Sequence, residues 1–252
     1  QKRLRRRRNR TAANREGRTL VQAPCDTRRL YRAARRIAAA HRAGDEVVAV
    51  LSAQAGATDA LLARGREIDP DCAGREADSL LSTGEQVSVS LCALALARLG
   101  VPAVSLCGWQ MGLQTDGSHG SARVLGLRGD RIERELRAGR VVLAAGFQGV
   151  DAAGDITTLG RGGSDTTAVA LAAFLHADLC RIYTDVDGVY DRDPRLHPDA
   201  VKYGRISYDD MLLLARGGAR VLHDRCVELA RREHVVLEVC SAFSDAPGTI
   251  VG

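Results

Sequence analysis

Two five-residue stretches, Val47–Leu51 and Val141–Ala145, contain no polar side chain. A strand with one wet face alternates polar and apolar residues, so an unbroken run marks a strand covered on both faces. Segments with helical spacing separate such runs. Thr27–Arg42 places Leu30, Ala33, Ile37 and Ala40 on one helical stripe. Further helices are expected from about Thr58, over Gln86–Leu99, Arg131–Ala138, Asp165–Leu175, Ser207–Arg216 and Val221–Glu233. Strands are expected over Thr19–Gln22, Ala103–Cys107, Leu179–Tyr183 and Val235–Val239, with a hairpin turn within Val150–Ile156. Buried strands alternating with helices give an α/β fold, an αβα sandwich around a mainly parallel central sheet. One domain is expected over residues 19–252, with two lobes at most.

The net charge of +5 is unevenly placed. Residues 1–18 hold nine basic side chains and one acid, a net +8, which leaves −3 on the remainder. The basicity therefore belongs to a tail, read as a disordered extension rather than a nucleic-acid arm. Nucleic acid is not an expected partner of the acidic body. Only Lys2 and Lys202 are lysines. Seven scattered cysteines form no CxxC pair, which reads as reduced core residues in a cytoplasmic protein. No continuous apolar run approaches the roughly 20 residues of a membrane span, and no secretory signal is expected.

Parallel sheets bind ligands beyond the carboxyl ends of their strands. Val47–Leu51 ends in Ser52-Ala-Gln-Ala-Gly-Ala-Thr58, where small residues admit a ligand and Thr58 has the chemistry of a helix cap. Val141–Ala145 leads into Gly146-Phe-Gln-Gly149. The strongest local signal is Gly160-Arg161-Gly162-Gly163-Ser164-Asp165 directly before a helix. Free N–H groups there suit an anion, and Arg161 adds a fixed cationic fork. A plain glycine turn capped by Ser164 or Asp165 is the alternative. Leu179–Tyr183 ends in Thr184-Asp185-Val-Asp187-Gly188-Val-Tyr190, followed by Arg195, residues suited to a ribose and base edge or to a simple turn. Ser82 and Glu85 have capping-box spacing at an expected helix start. No P-loop and no protein-kinase glycine loop occur.

Taken together, Leu81-Ser-Thr-Gly-Glu-Gln-Val, Ala145-Gly-Phe-Gln-Gly-Val, the run 156–167 and Thr184-Asp-Val-Asp-Gly-Val-Tyr resemble the aspartokinase branch of the amino-acid kinase superfamily. Thr115-Asp-Gly-Ser-His119 fits the same pattern. The resemblance implies the amino-acid kinase fold and phosphorylation of the aspartate side-chain carboxylate by ATP with Mg²⁺. That reaction is the first step of lysine, threonine and methionine synthesis. By resemblance Ser52, Thr58, Glu85, Arg161, Gly163 and Ser164 bind substrate, with Arg161 on its α-carboxylate. Thr184, Asp185, Tyr190, Arg195 and Arg220 bind nucleotide. Arg161, Asp165 and Arg220 serve catalysis. No protein metal site is implied, and a homodimer is.

The chain departs from the family pattern in three places. The family's Lys-Phe-Gly-Gly-[ST]-[ST] is replaced by Leu20-Val-Gln-Ala-Pro-Cys-Asp-Thr27. The family's Gly-[SA]-Lys-Val appears as Gly218-Ala-Arg220-Val. The sequence stops at Gly252, where relatives continue into ACT domains. Lys202 lies in a peripheral segment and reads as solvated. A missing lysine predicts turnover lowered by about 10²–10⁴-fold, or an impaired module that binds ligand beside an active subunit.

Overall fold

The computed structural model describes residues 18–25, 27–219 and 221–252. Residues 1–17 of the arginine-rich tail, Asp26 and Arg220 lie outside the described residues, whereas Arg18 opens the first strand. In chain order the elements are β1 (Arg18–Cys25), α1 (Thr27–Arg42), β2 (Glu46–Gln54), α2 (Ala57–Ile68), α3 (Gly74–Arg98), β3 (Ala103–Leu106) and α4 (Gly108–Met111). There follow β4 (Leu113–Thr115), β5 (Val124–Leu127), α5 (Asp130–Arg137), β6 (Val141–Ala145), β7 (Gln148–Val150) and β8 (Ile156–Thr158). The last are α6 (Gly163–Phe174), β9 (Leu179–Thr184), β10 (Arg205–Ile206), α7 (Tyr208–Arg216), α8 (Asp224–Glu233), β11 (Leu237–Ser241) and β12 (Thr249–Val251).

Eight strands form one sheet in the order β10-β12-β11-β9-β1-β2-β6-β3. From β11 to β3 all neighbours are parallel, and β12 pairs antiparallel to β11. The two apolar runs show why the sheet is covered twice. Val48, Val50, Val142 and Ala144 face a core shared with α6 and α8. Val47, Ala49, Leu51, Val141, Leu143 and Ala145 face a second core with α1 and α3. Side chains alternate with period 2, so both faces must be apolar. The result is the αβα sandwich expected from the sequence.

A second sheet, β5-β4-β7-β8, stands beside the N-terminal half of α3. Its strands are three or four residues long. The buried Asp78 of α3 pins it. Its carboxylate accepts from Thr158 N–H at 2.9 Å, Thr158 Oγ1 at 2.5 Å and Gly120 N–H at 3.0 Å, and contacts His119 Nδ1 at 2.9 Å. A buried carboxylate keeps its place only when such donors surround it.

Three helix starts differ from those expected from the sequence. The Ser82–Glu85 capping box does not exist, because α3 begins eight residues earlier and the segment lies within it. Ser82 Oγ instead donates to Ser79 O at 2.8 Å. Thr58 does not cap α2; the cap position is Gly56, in the left-handed region, with no side-chain bond. The last helix starts at Asp224, with His223 as its cap, rather than at Val221. α3 also has the length and hydropathy of a membrane span. It packs against β2, β3 and β6 and carries buried Asp78 and Glu85, as a core helix does.

β1 occupies the middle of the sheet, between β2 and β9. Proline lacks an N–H and is rare in central strands. Here the register slips between Ala23 and Cys25, so Pro24 falls in the irregularity. The stretch that departs from the family pattern therefore ends between the strands that lead to Ser52 and Thr184.

Candidate active site

At the carboxyl end of β2 and β6 a cleft of about 200 Å³ is lined by Ser52, Thr58, Glu85, Phe147, Gly162, Gly163, Ser164 and Asp165. β2 delivers Ser52, α2 Thr58, α3 Glu85, the β6–β7 turn Phe147, and the start of α6 with its cap the rest. Six residues expected to act on substrate, Ser52, Thr58, Glu85, Gly163, Ser164 and Asp165, thus meet in one place. Arg161 stands just outside the lining. It is exposed, and among the described residues it has no hydrogen bond or ion pair.

The Gly160–Gly163 turn has its shape for steric reasons. Gly160 and Gly162 both have positive φ, 72° and 68°, which glycine alone adopts freely. A Cβ on Gly162 would overlap the His223 side chain, and one on Gly163 would press on Phe147. The turn is therefore wedged between Phe147 and the α8 cap. Gly162 caps α6 with no side-chain bond, so neither Ser164 nor Asp165 acts as the cap. The first N–H groups of α6 open on the cleft, with the dipole favouring an anion.

Sequence reasoning missed Phe147. It holds φ 67°, unusual for a bulky residue. Its N–H donates to Thr167 Oγ1 at 3.1 Å, and its carbonyl accepts from Leu159 N–H at 2.8 Å. Gly146 before it and Gly149 two residues on were the only signal of an unusual turn. Gln148, fully buried, donates Nε2 to Ser82 O at 2.9 Å and so ties this turn to α3.

Two acids in the cleft are electrostatically unusual. Burial pushes the Glu85 carboxyl up to about 7, against the opposing N–H of Ala53. Its Oε1 accepts that N–H at 3.0 Å, while buried Oε2 has no partner. Burial likewise raises Asp165 to about 7. Its neighbours include Cys180 and Cys226, which burial first, and then the Asp165 charge, keep as neutral thiols. Such acids are stable only if neutral or if a cation arrives.

A larger cavity of about 750 Å³ opens beyond β9. Its walls include Asp185, Gly188, Tyr190, Arg195, Gly218 and Val221. Asp185, Tyr190 and Arg195 were expected there. Thr184 stands at the end of β9 and donates to Asp185 Oδ1 at 3.1 Å. Asp185 pairs with Arg195 at 2.9 Å. Lys202, expected to be solvated, is instead half-buried and paired with Asp187 at 3.2 Å. Among the described residues no group of three or more His, Cys, Asp or Glu side chains converges on a metal position.

An amino-acid-sized cleft with an anion-binding helix start, beside a roomier cavity at the same sheet edge, is the layout of a small-molecule kinase. The family model described as "Amino acid kinase family" matches residues 17–241, and the chain belongs to that family. Within the family the likeness runs to aspartokinases. The chain is 50% identical to an aspartate kinase of Stutzerimonas stutzeri over 208 residues, 82% of this chain and 50% of that one. It matches the crystal structure of aspartate kinase from Synechocystis with a TM-score of 0.82 and 47% identity, covering 92% of this chain and 39% of that one. It matches E. coli aspartokinase III, solved with aspartate and ADP, with a TM-score of 0.82 and 27% identity, covering 92% of this chain and 64% of that one. The chain spans about half the length of the curated relatives it matches.

Proposed function

We propose that this chain forms the kinase domain that transfers the γ-phosphoryl group of ATP to the β-carboxylate of L-aspartate. The observation that carries the reading is the orphaned Glu85 Oε2 in a cleft that also holds the α6 N-terminus. An α-ammonium supplies the missing donor, and the substrate's carboxylates suit the free N–H groups and Arg161. E. coli aspartokinase III, at 27% identity, was solved with these two ligand types, aspartate and ADP.

In this reading Ser52, Thr58, Glu85, Gly163 and Ser164 hold aspartate, and Arg161 closes on its α-carboxylate. Asp185, Tyr190 and Arg195 line the cavity for ATP, with Thr184 bracing Asp185. Arg220, between cavity residues Ala219 and Val221, is assigned to nucleotide and catalysis by resemblance alone. No side chain here forms a covalent intermediate; transfer rests on positioning and charge neutralisation. The dispersed acids fit a divalent cation carried on nucleotide phosphates, and Mg²⁺ there supplies charge neutralisation. Asp165 in its desolvated corner handles the charge that develops beside the acceptor.

The remaining assignments follow from this reading. Residues 18–252 form the kinase domain, one residue earlier than the sequence suggested because Arg18 opens β1 opposite Glu46, and residues 1–17 a tail. The product, 4-phospho-L-aspartate, enters lysine, threonine and methionine synthesis. Cys180 and Cys226, buried in the core as thiols, support a reducing, cytoplasmic setting. An exposed stripe on α3, Val87, Leu91 and Leu94, supports a homodimer.

A catalytically impaired module of this family, which binds nucleotide or aspartate and partners an active subunit, is the second reading. It is favoured by Pro24 and the register slip at the end of β1, where the family's lysine and glycines belong. A coupled ADP-release assay with aspartate, glutamate or no acceptor tests both. Release with aspartate alone is expected. ATP binding without acceptor-dependent release would leave only the second reading, and binding of neither ligand removes both.

A further inference from the structure

We propose that Lys202 is a positioning residue for the nucleotide: acting through Asp187, it fixes the Tyr190 phenol in the wall of the larger cavity. This rests on the reading that the cavity takes ATP.

Lys202 is the only lysine beyond position 2. Its ammonium is held by two acceptors, Asp187 Oδ2 at 3.2 Å and the Pro247 carbonyl at 2.7 Å. The other carboxylate oxygen, Asp187 Oδ1, accepts from Tyr190 Oη at 2.9 Å. A carboxylate gripped at both oxygens cannot rotate, so the phenol has one orientation. Burial works against the ionised Asp187, but the Tyr190 and Lys202 hydrogen bonds outweigh it and hold the carboxyl below its ordinary range. The nearby cation Arg195 is paired to Asp185 instead. The Lys202 stem crosses Gly188, where a Cβ would overlap it, and Gly188 and Tyr190 both line the cavity.

The backbone of this loop is held separately. Tyr190 and Lys202 form an isolated antiparallel bridge. Tyr203 N–H donates to Val189 O at 2.8 Å, and Asp191 N–H to Val201 O at 3.1 Å. Replacing the Lys202 side chain therefore leaves the loop's main-chain bonds in place and removes the relay to Tyr190. A ring fixed before the ligand arrives lowers the ordering cost of binding. An exposed ion pair alone contributes little. The effect is expected because the pair orients a third group.

The test is ADP titration by calorimetry on the full chain and on Lys202→Met, Lys202→Gln, Lys202→Arg, Tyr190→Phe and the Lys202→Met/Tyr190→Phe double variant. Lys202→Met and Lys202→Gln should weaken ADP by about tenfold, and Lys202→Arg should recover most of it. On the Tyr190→Phe background the lysine change should cost less than about twofold, because the relay is already cut. Aspartate affinity should not move. Equal losses in both backgrounds, or no loss in either, would overturn the inference and leave Lys202 as a tether for Pro247. A parent chain that binds aspartate but not ADP would instead overturn the nucleotide reading and this inference with it.

Discussion

Glu85, midway along α3, takes the backbone N–H of Ala53 on one carboxylate oxygen at 3.0 Å and leaves the other buried and unpartnered. Ala53 directly follows Ser52 at the end of β2, so this bond locks the longest helix to the strand that delivers the cleft. Only a proton or a cation satisfies that open oxygen.

The buried cleft acids make stability depend on pH. Glu85 has a folded value raised from 4.5 to about 7, so between these the native chain holds a proton that the unfolded chain has lost. Stability is then greatest at low pH within this window and falls as pH rises toward about 7, by about 3 kcal/mol for Glu85 if fully expressed. Asp165, raised to about 7, acts in the same direction. Urea denaturation of the unliganded chain across this range should show the decline, and Glu85→Gln should flatten part of it. An α-ammonium drawn onto Glu85 ionises it, so aspartate binding near about pH 6 should release protons, read as buffer-dependent binding heats. Stability rising through the window would refute the assignment.

Arg161 offers a clean separation of binding from folding. Among the described residues it is unpaired, so Arg161→Ala should leave the melting temperature within about a degree. The loss of a bidentate carboxylate contact should raise the KM for aspartate by about 30- to 100-fold. Steady-state kinetics read this directly. Unchanged KM would remove Arg161 from the site.

Gly162 carries a structural burden. Its φ of 68° and the His223 side chain against it leave no room for a methyl group. Gly162→Ala should destabilise the chain by about 2–4 kcal/mol and distort the α6 N-terminus. Denaturant titration would show it. A variant as stable as the parent would mean that the turn relaxes freely.

The end of β1 offers a gain of function. Ala23 pairs in register with Leu51, one residue short of Ser52. Ala23→Lys places a cation-bearing residue at this edge, where the family motif has one. If the missing charge limits transfer, ADP release with aspartate should rise by about 10–10³-fold. No gain would shift the cause to the lost glycines.

How much of this was legible in the residues varies with the range of the interaction that decides it. Val47–Leu51 and Val141–Ala145 announced doubly covered strands, because short β-branched and apolar runs bounded by turn residues suit a strand buried on both faces. Thr27–Arg42 was legible to the residue as α1, since one stripe of Leu30, Ala33 and Ile37 sets it. The β4, β5, β7 and β8 strands were mostly not, because strands of three or four residues carry too few side chains for a period, and β8 is tied to α3 by the distant Asp78. The Ser82–Glu85 pattern was misread for a related reason. Capping chemistry and a ligand-facing helix interior use the same residue types, and only the course of α3 distinguishes them.

By itself the sequence determined the layer architecture, through the two-faced apolar runs, and marked the glycine turn and the acids that converge beyond the strand ends. The tertiary structure alone decided the properties of those groups. It desolvated Glu85 and Asp165, left one Glu85 oxygen without a donor, held Phe147 at a positive φ, and set Lys202 against Asp187 rather than in water. Periodicity is a local property, whereas dielectric and hydrogen-bond partnership depend on which distant segments the fold brings within a few ångströms.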